Sequence, residues 1–192
     1  MTMRPPLTRR RVLGGATLLT ALVACNRGDD LPPLPDAGPF IYKLGPNDQI
    51  RVITFGEDSL SEVFRVDDQG RVNLPLLGAI KATGLTPEEL GRRIAELLKS
   101  KNLLRAPSVS VEITEYRPLF VLGEVVHPGQ ITYQPGMTVL AAIAIGGGYT
   151  YRAVTDYAAI TRVIGGKSVQ GQVDNNAEVR PGDIITVFER YF

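Results

Sequence analysis

The stretch FRVDDQGRVNLPLLGAIKATGLTPEELGRRI, Phe64 to Ile94, changes its hydrophobic period halfway along, and that change decides the fold class. Val63 to Val66 and Arg71 to Leu74 flank Asp67-Asp68-Gln69-Gly70, a spacing that predicts a β-hairpin with Gly70 supplying the positive φ of its loop. Leu77 to Ala82 reads as a third extended piece after the kink at Pro75. From Thr86 the period becomes helical. Thr86 stands at N-cap, Pro87 at N1 and Glu89 at N3, a capping box that also sets carboxylates at the positive end of the helix dipole. Leu90, Ile94, Leu97 and Leu98 then fall on one stripe, leaving Arg92, Arg93, Glu96 and Lys99 for water.

Working outward, strands and tight turns surround this helix. Ile41 to Val52 predicts two extended pieces about Gly45-Pro46-Asn47-Asp48, and Val109, Val111 and Ile113 alternate with polar residues as a strand with one wet face. Leu119 to Val126 predicts another strand, turned at His127-Pro128-Gly129-Gln130 in type II fashion. Met137 to Ile145 reads as a short apolar helix stopped by Gly146-Gly147-Gly148. Ile160 to Ile164 and Lys167 to Val173 read as a hairpin about Gly165-Gly166. Near the end, EVRPGDIITV, Glu178 to Val187, repeats the grammar of the Gly45 region: Pro and a turn former, then Asp, then alternating apolar residues. This echo points to two related substructures.

The N-terminal stretch LTRRRVLGGATLLTALVACN, Leu7 to Asn26, has the charged, apolar and small-residue order of a secretory signal peptide. Val12 to Ala24 is too short to span a bilayer, which takes roughly twenty apolar residues. Leu22-Val23-Ala24-Cys25 resembles the bacterial lipobox, which makes Cys25, the chain's single cysteine, the lipidation residue. An ordinary signal peptide with an incidental cysteine is the alternative. Thr8 to Leu13 also resembles a twin-arginine signal, so the export route stays open. Asn26, rather than Asp, favours the outer membrane by resemblance to enterobacterial lipoproteins. Because one acyl chain holds only marginally, a durable anchor takes two or three. Loss of residues 1–24 removes Arg4, Arg9, Arg10 and Arg11 and no acid, so the charge falls from +1 to −3, which is no nucleic-acid footprint. Asn26 to Pro39 is proline-rich and reads as an extended tether.

No constellation argues for catalysis. His127, the one histidine, sits in a turn, and no metal site can be assembled on it. Gly146-Gly147-Gly148 follows a helix, whereas phosphate loops precede one. Gly165-Gly166-Lys167-Ser168 lacks the earlier glycine of a P-loop and leads into a strand. Asp67-Asp68 and Glu88-Glu89 are explained by a turn and a capping box rather than by a glycosidase pair. No cofactor is implied.

Taken in order, the lipobox, the tether, YKLGPNDQIRV, FRVDDQGRVNLPLLGAIKATGLTPEELGRRI, PSVSVEITEYRPLFVLGEVVHPGQITYQPGMTVLAAIAIGGGYT and RPGDIITV resemble the polysaccharide export family of outer-membrane lipoproteins. The resemblance implies an α+β fold: a signal peptide (1–24), a lipid-anchored tether (25–39), a polysaccharide-export domain (40–115) and a β-grasp-like SLBB module (116–192). Where the family usually has Gly in the first turn this chain has Asn47, which tolerates the left-handed region. The resemblance further implies a non-enzymatic homo-oligomeric ring, often of eight subunits, that guides exopolysaccharide on the periplasmic face of the outer membrane together with an inner-membrane co-polymerase. Longer members add a C-terminal amphipathic helix, whereas Phe188 is followed here by four residues, so a separate outer-membrane channel is expected. Asp67, Asp68, Gln69 and Gly70, with Gly146, Gly147, Gly148, Tyr149 and Thr150, are the candidate glycan-contact loops, although turns and glycines explain both without a ligand. A monomeric lipid-anchored module that captures glycan or protein is the rival reading.

Overall fold

The computed structural model describes residues 28–36, 38 and 40–190; Cys25 and the leader lie outside them. The chain runs β1 (Gln49–Thr54), β2 (Glu62–Arg65), β3 (Arg71–Leu74), β4 (Gly78–Lys81), α1 (Pro87–Ser100) and β5 (Val109–Glu115). It continues with β6 (Leu119–Gly123), β7 (Gly129–Ile131), α2 (Val139–Ile145), β8 (Tyr157–Ile164), β9 (Lys167–Asp174) and β10 (Ile184–Val187). The first half holds a three-stranded antiparallel sheet, β2-β1-β5, beside the β3-β4 ribbon. The second holds a five-stranded sheet, β7-β6-β10-β8-β9, whose one parallel pair is β10 with β6. Antiparallel and mixed sheets, with two α-helices among the described residues, make the fold α+β, as expected.

Each half packs a helix on its own core. In α1 the capping box is complete: Thr86 Oγ1 accepts from Glu89 N at 3.2 Å, and Glu89 Oε2 accepts from Thr86 N at 2.9 Å. Its stripe Leu90, Ile94 and Leu98 is buried with Ile50, Val52, Val72, Ile80 and Val111. Burying each such side chain contributes about 1.5–3 kcal/mol. Gly91 lets α1 approach β5, since a Cβ there would stand 3.0 Å from the Val109 carbonyl. In the second half Val139, Ala142 and Ile143 of α2 pack on Leu119, Val121, Ile160, Ile185 and Val187.

Four expectations are corrected. Residues 41–44 form no strand; Leu44 is held by two hydrogen bonds, donating to Leu85 O (2.8 Å) and accepting from Gly84 N (2.9 Å), because its neighbour is the irregular lead into α1 rather than a strand. Asp67 to Gly70 does turn the chain, yet β2 pairs with β1 and β3 with β4, so no hairpin ladder forms across it. Asp67 Oδ1 takes the Arg71 amide at 2.7 Å, the donor a ladder would have used, and the real hairpin is β3-β4 about Leu76, at φ 62°. Gly129 opens β7 opposite Val121 instead of completing a type II turn. The reversal falls earlier, where Val125 N reaches Gly123 O at 2.8 Å and the Gly146 and Gly148 carbonyls accept from His127 and Val126. Lastly, the tether is not free over its described part: Pro33 bridges Gln172 in parallel, with Leu34 N to Gln172 O at 3.0 Å and Gln172 N to Pro32 O at 2.9 Å. The open edge of β9 offers those groups, and Gly171, lacking Cβ, lets the Leu34 backbone lie against it.

Two structures agree with the sequence to the residue. Gly165 and Gly166, at φ 58° and 79°, make the two-residue β8-β9 loop. The end of α2 is a Schellman motif, Gly148 N to Ile143 O at 2.9 Å and Gly147 N to Ala144 O at 3.0 Å, with Gly147 at φ 86°.

Candidate functional site

The repeated turn builds the junction between the halves. In Gly45-Pro46-Asn47-Asp48 and in Arg180-Pro181-Gly182-Asp183, proline fixes the second position and a residue at positive φ fills the third, Asn47 at 71° and Gly182 at 87°. The fourth amide closes on the first carbonyl, at 3.2 and 3.0 Å. These are type II turns. In each, the aspartate carboxylate also turns back onto the first amide, Gly45 N and Arg180 N, both at 2.7 Å. The residue before each turn donates to the residue preceding a helix N-cap: Leu44 to Leu85 O, and Val179 to Met137 O at 3.0 Å. The echo in the sequence is therefore an echo of structure.

Both carboxylates are buried and each is met by an arginine. Asp183 receives a forked pair from Arg162, Nε at 2.9 Å and Nη2 at 2.6 Å. Asp48 receives the Tyr42 hydroxyl (2.5 Å), the Arg117 amide (2.9 Å) and Arg117 Nη1 (3.3 Å). Arg117 belongs to the short link between β5 and β6, and it ties both turns together because its Nε also donates to Pro181 O at 3.2 Å. Gly45 leaves room for that guanidinium, since a Cβ there would stand 2.5 Å from Nη1. Burial, reinforced by the hydrogen bond to Asp48, pushes the Tyr42 phenol far above its usual range, so it stays a neutral donor.

Beside this network runs a line of rings. Phe40, Tyr42, Tyr116 and Tyr133 meet edge to face in succession, at centroid separations of 6.0, 4.9 and 5.3 Å. The Arg180 guanidinium lies 4.5 Å over the Phe40 ring. Two cavities open along this line with Phe40 in the wall of both. One, of about 340 Å³, is lined by Tyr42, Tyr116, Tyr133, Pro135, Gly136 and Glu178. The other, of about 220 Å³, is lined by Arg117, Arg162, Val163, Arg180 and Pro181 to Asp183. Burial and then the Arg162 charge lower the Arg180 pKa, while burial raises that of Tyr133. A larger groove of about 720 Å³ lies between α1 and the edge of β5.

None of the residues singled out in the two sequence loops lines either of these cavities. Asp67 is bonded to the Arg71 amide, and Asp68 and Gln69 face solvent. Gly70, at φ 74°, packs on Thr83, whose side chain fills the space of any Cβ. Gly146 to Gly148 cap α2. Tyr149 donates to Asn175 Oδ1 at 2.7 Å, and Thr150 donates to Glu124 Oε2 at 2.6 Å. No hydrogen bond joins the two loops among the described residues. Nothing local in the sequence marks the junction cleft: Phe40, Tyr116, Tyr133 and Arg180 are scattered along the chain. Asp48 and Asp183 do leave a local signal, in the turn echo.

Among the described residues no group of three or more His, Cys, Asp or Glu could hold a metal, and no helix is long and apolar enough to cross a membrane. Two small α+β modules are thus coupled through an arginine and open on an aromatic cleft. Residues 37–114 match the family described as polysaccharide biosynthesis/export protein, and residues 118–172 match the SLBB domain. The chain belongs to the polysaccharide export family. Tyr116 and Arg117 fall between the two matched segments. The exopolysaccharide production protein ExoF of Rhizobium meliloti (strain 1021) is 35% identical over 118 residues, 56% of this chain and 28% of that protein. The EPS I polysaccharide export outer membrane protein EpsA of Ralstonia nicotianae is 26% identical, covering 96% of this chain and 56% of that protein. The chain thus spans little more than half of one of these relatives and under a third of the other.

Proposed function

We propose that the protein is a lipid-anchored component of an exopolysaccharide export machine, held by Cys25 on the periplasmic face of the outer membrane. It assembles as a homo-oligomeric ring, of eight subunits on the family pattern, and passes glycan from an inner-membrane co-polymerase toward an outer-membrane channel. The observation that carries this reading is the succession of an export module and an SLBB module on one chain. A relative named as an outer membrane export protein supports the location. The ring is supported by the edge strand β5, whose outer side pairs with no strand among the described residues, beside the groove along α1, where a neighbouring copy can pack. A hydrated glycan moves past surfaces of hydroxyls, amides and mixed charge through bridging waters, without a deep trap.

Deletion of the gene tests the function: secreted exopolysaccharide falls to background and returns with the wild-type copy, and unchanged secretion refutes the reading. Native mass measurement of the acylated protein tests the ring. A single large oligomer supports it, whereas a strict monomer returns the protein to the class of monomeric binding modules. Cys25→Ala should release the protein from the membrane fraction; retention there would refute the acyl anchor.

A further inference from the structure

We propose that the cleft at the junction of the two modules is a saccharide site selective for an acidic sugar, with Arg180 as the group that receives the sugar's carboxylate. The inference rests on the export reading only in taking the ligand to be a glycan. The two cavities that share Phe40 divide the work. The larger is walled by Tyr116 and Tyr133, with Glu178 beside them. Such a wall is apolar in its body and polar at its rim, matching a pyranose, which has C–H faces and a hydroxyl periphery. Glu178 is exposed and accepts from sugar hydroxyls.

The smaller cavity supplies the charge preference. Of its three guanidinium groups, that of Arg162 is committed to Asp183 and that of Arg117 to Asp48. Arg180 lies within salt-bridge reach of no carboxylate among the described residues. Its side chain donates to the Gly38 carbonyl at 3.3 Å and lies over the face of Phe40. A guanidinium has five N–H donors in a planar fork, so most of this one's capacity is left for a ligand, and a carboxylate takes it in bidentate fashion. The group is partly withdrawn from water and stands against a low-dielectric wall, where pairing with an anion is stronger than on an open surface. A neutral sugar would find the aromatic wall but leave the fork unanswered. A uronate linked to its neighbours satisfies both cavities at once.

The experiment titrates the protein, released after Cys25 replacement, with tetragalacturonate and with neutral galactotetraose, following amide shifts and heat. The uronate oligomer should bind at least about tenfold more tightly, weaken as salt rises, and shift resonances around Phe40, Tyr133 and Arg180. Arg180→Gln should abolish the preference, roughly tenfold in Kd, while its spectrum stays folded; Glu178→Gln should weaken the neutral oligomer and, by removing a like charge, widen the preference for the uronate. Equal binding of the two oligomers, an unaffected Arg180→Gln, or shifts centred elsewhere would overturn the site. If no oligomer binds while export still depends on the gene, the cleft proposal fails alone. If export is indifferent to the gene, the functional reading fails instead.

Discussion

The two proline turns are the same device wired differently. Asp183 is answered from within its own module by Arg162, a side chain of the adjacent β8, whereas Asp48 is answered by Arg117, which lies beyond the end of the first module's last strand. The second turn would be satisfied if its half stood alone. The first is completed by the link to its neighbour, and the same guanidinium returns to Pro181 of the second turn. A motif repeated in one chain thus serves once to close a module and once to orient it against the next.

This difference can be broken with two substitutions. Arg162→Met should be the more damaging, since Asp183 is 2% exposed and would keep only backbone donors for a buried charge. Removing one partner of such a pair destabilises by about 3–5 kcal/mol, read by chemical denaturation. Arg117→Met should destabilise less, by about 1–3 kcal/mol, because Asp48 keeps the Tyr42 hydroxyl and the amides of Gly45 and Arg117 itself. The second variant should also separate the unfolding of the two modules into distinct transitions. Equal losses, or a single transition of undiminished sharpness in Arg117→Met, would mean that the arginine does not couple the halves.

Sequence reading reached the locally encoded parts and stopped where partners are distant. The capping box of α1, the stripe Leu90-Ile94-Leu98 and the Gly165-Gly166 loop depend on neighbours within a few residues, and all three stand as expected. The failed hairpin at Asp67 to Gly70 shows the limit: the turn residues were right, but which strands pair beyond a turn is set by the sheet. The proline-rich segment taken as a tether has no hydrophobic period, and nothing local reveals that β9 leaves an edge for it. The cleft was invisible for the same reason. Arg117 meets a carboxylate 69 positions away, and Phe40, Tyr42, Tyr116 and Tyr133 become neighbours only when both modules have folded.

A pH titration sharpens the comparison further. Burial raises the pKa of Tyr42, Tyr133 and Tyr149 in the folded chain, while the unfolded chain ionises its phenols near about pH 10. The unfolded state therefore binds fewer protons above that pH, and stability declines as pH rises, being whole at neutrality. Tyr42 should dominate, since it donates to Asp48 at the junction. Tyr42→Phe lowers stability at neutral pH but should flatten the alkaline decline. An alkaline slope identical to wild type would show that the junction phenol is not held neutral by the fold.

The smallest effect comes from exchanging the third residues of the two turns. Asn47 and Gly182 share a positive φ, but a Cβ at Gly182 would meet Arg117 Nε at 3.2 Å, whereas Asn47 is exposed. Gly182→Asn should therefore destabilise by about 1–2 kcal/mol, the left-handed penalty being joined by displacement of the coupling arginine. Asn47→Gly relieves the same backbone penalty in the first turn but returns freedom to the unfolded chain, and the two nearly offset, leaving a change within about 0.5 kcal/mol. The asymmetry, rather than either value, is what matters. If both exchanges were equally mild, the guanidinium would have room to move without loss, and the second turn could not be what fixes its position over the first.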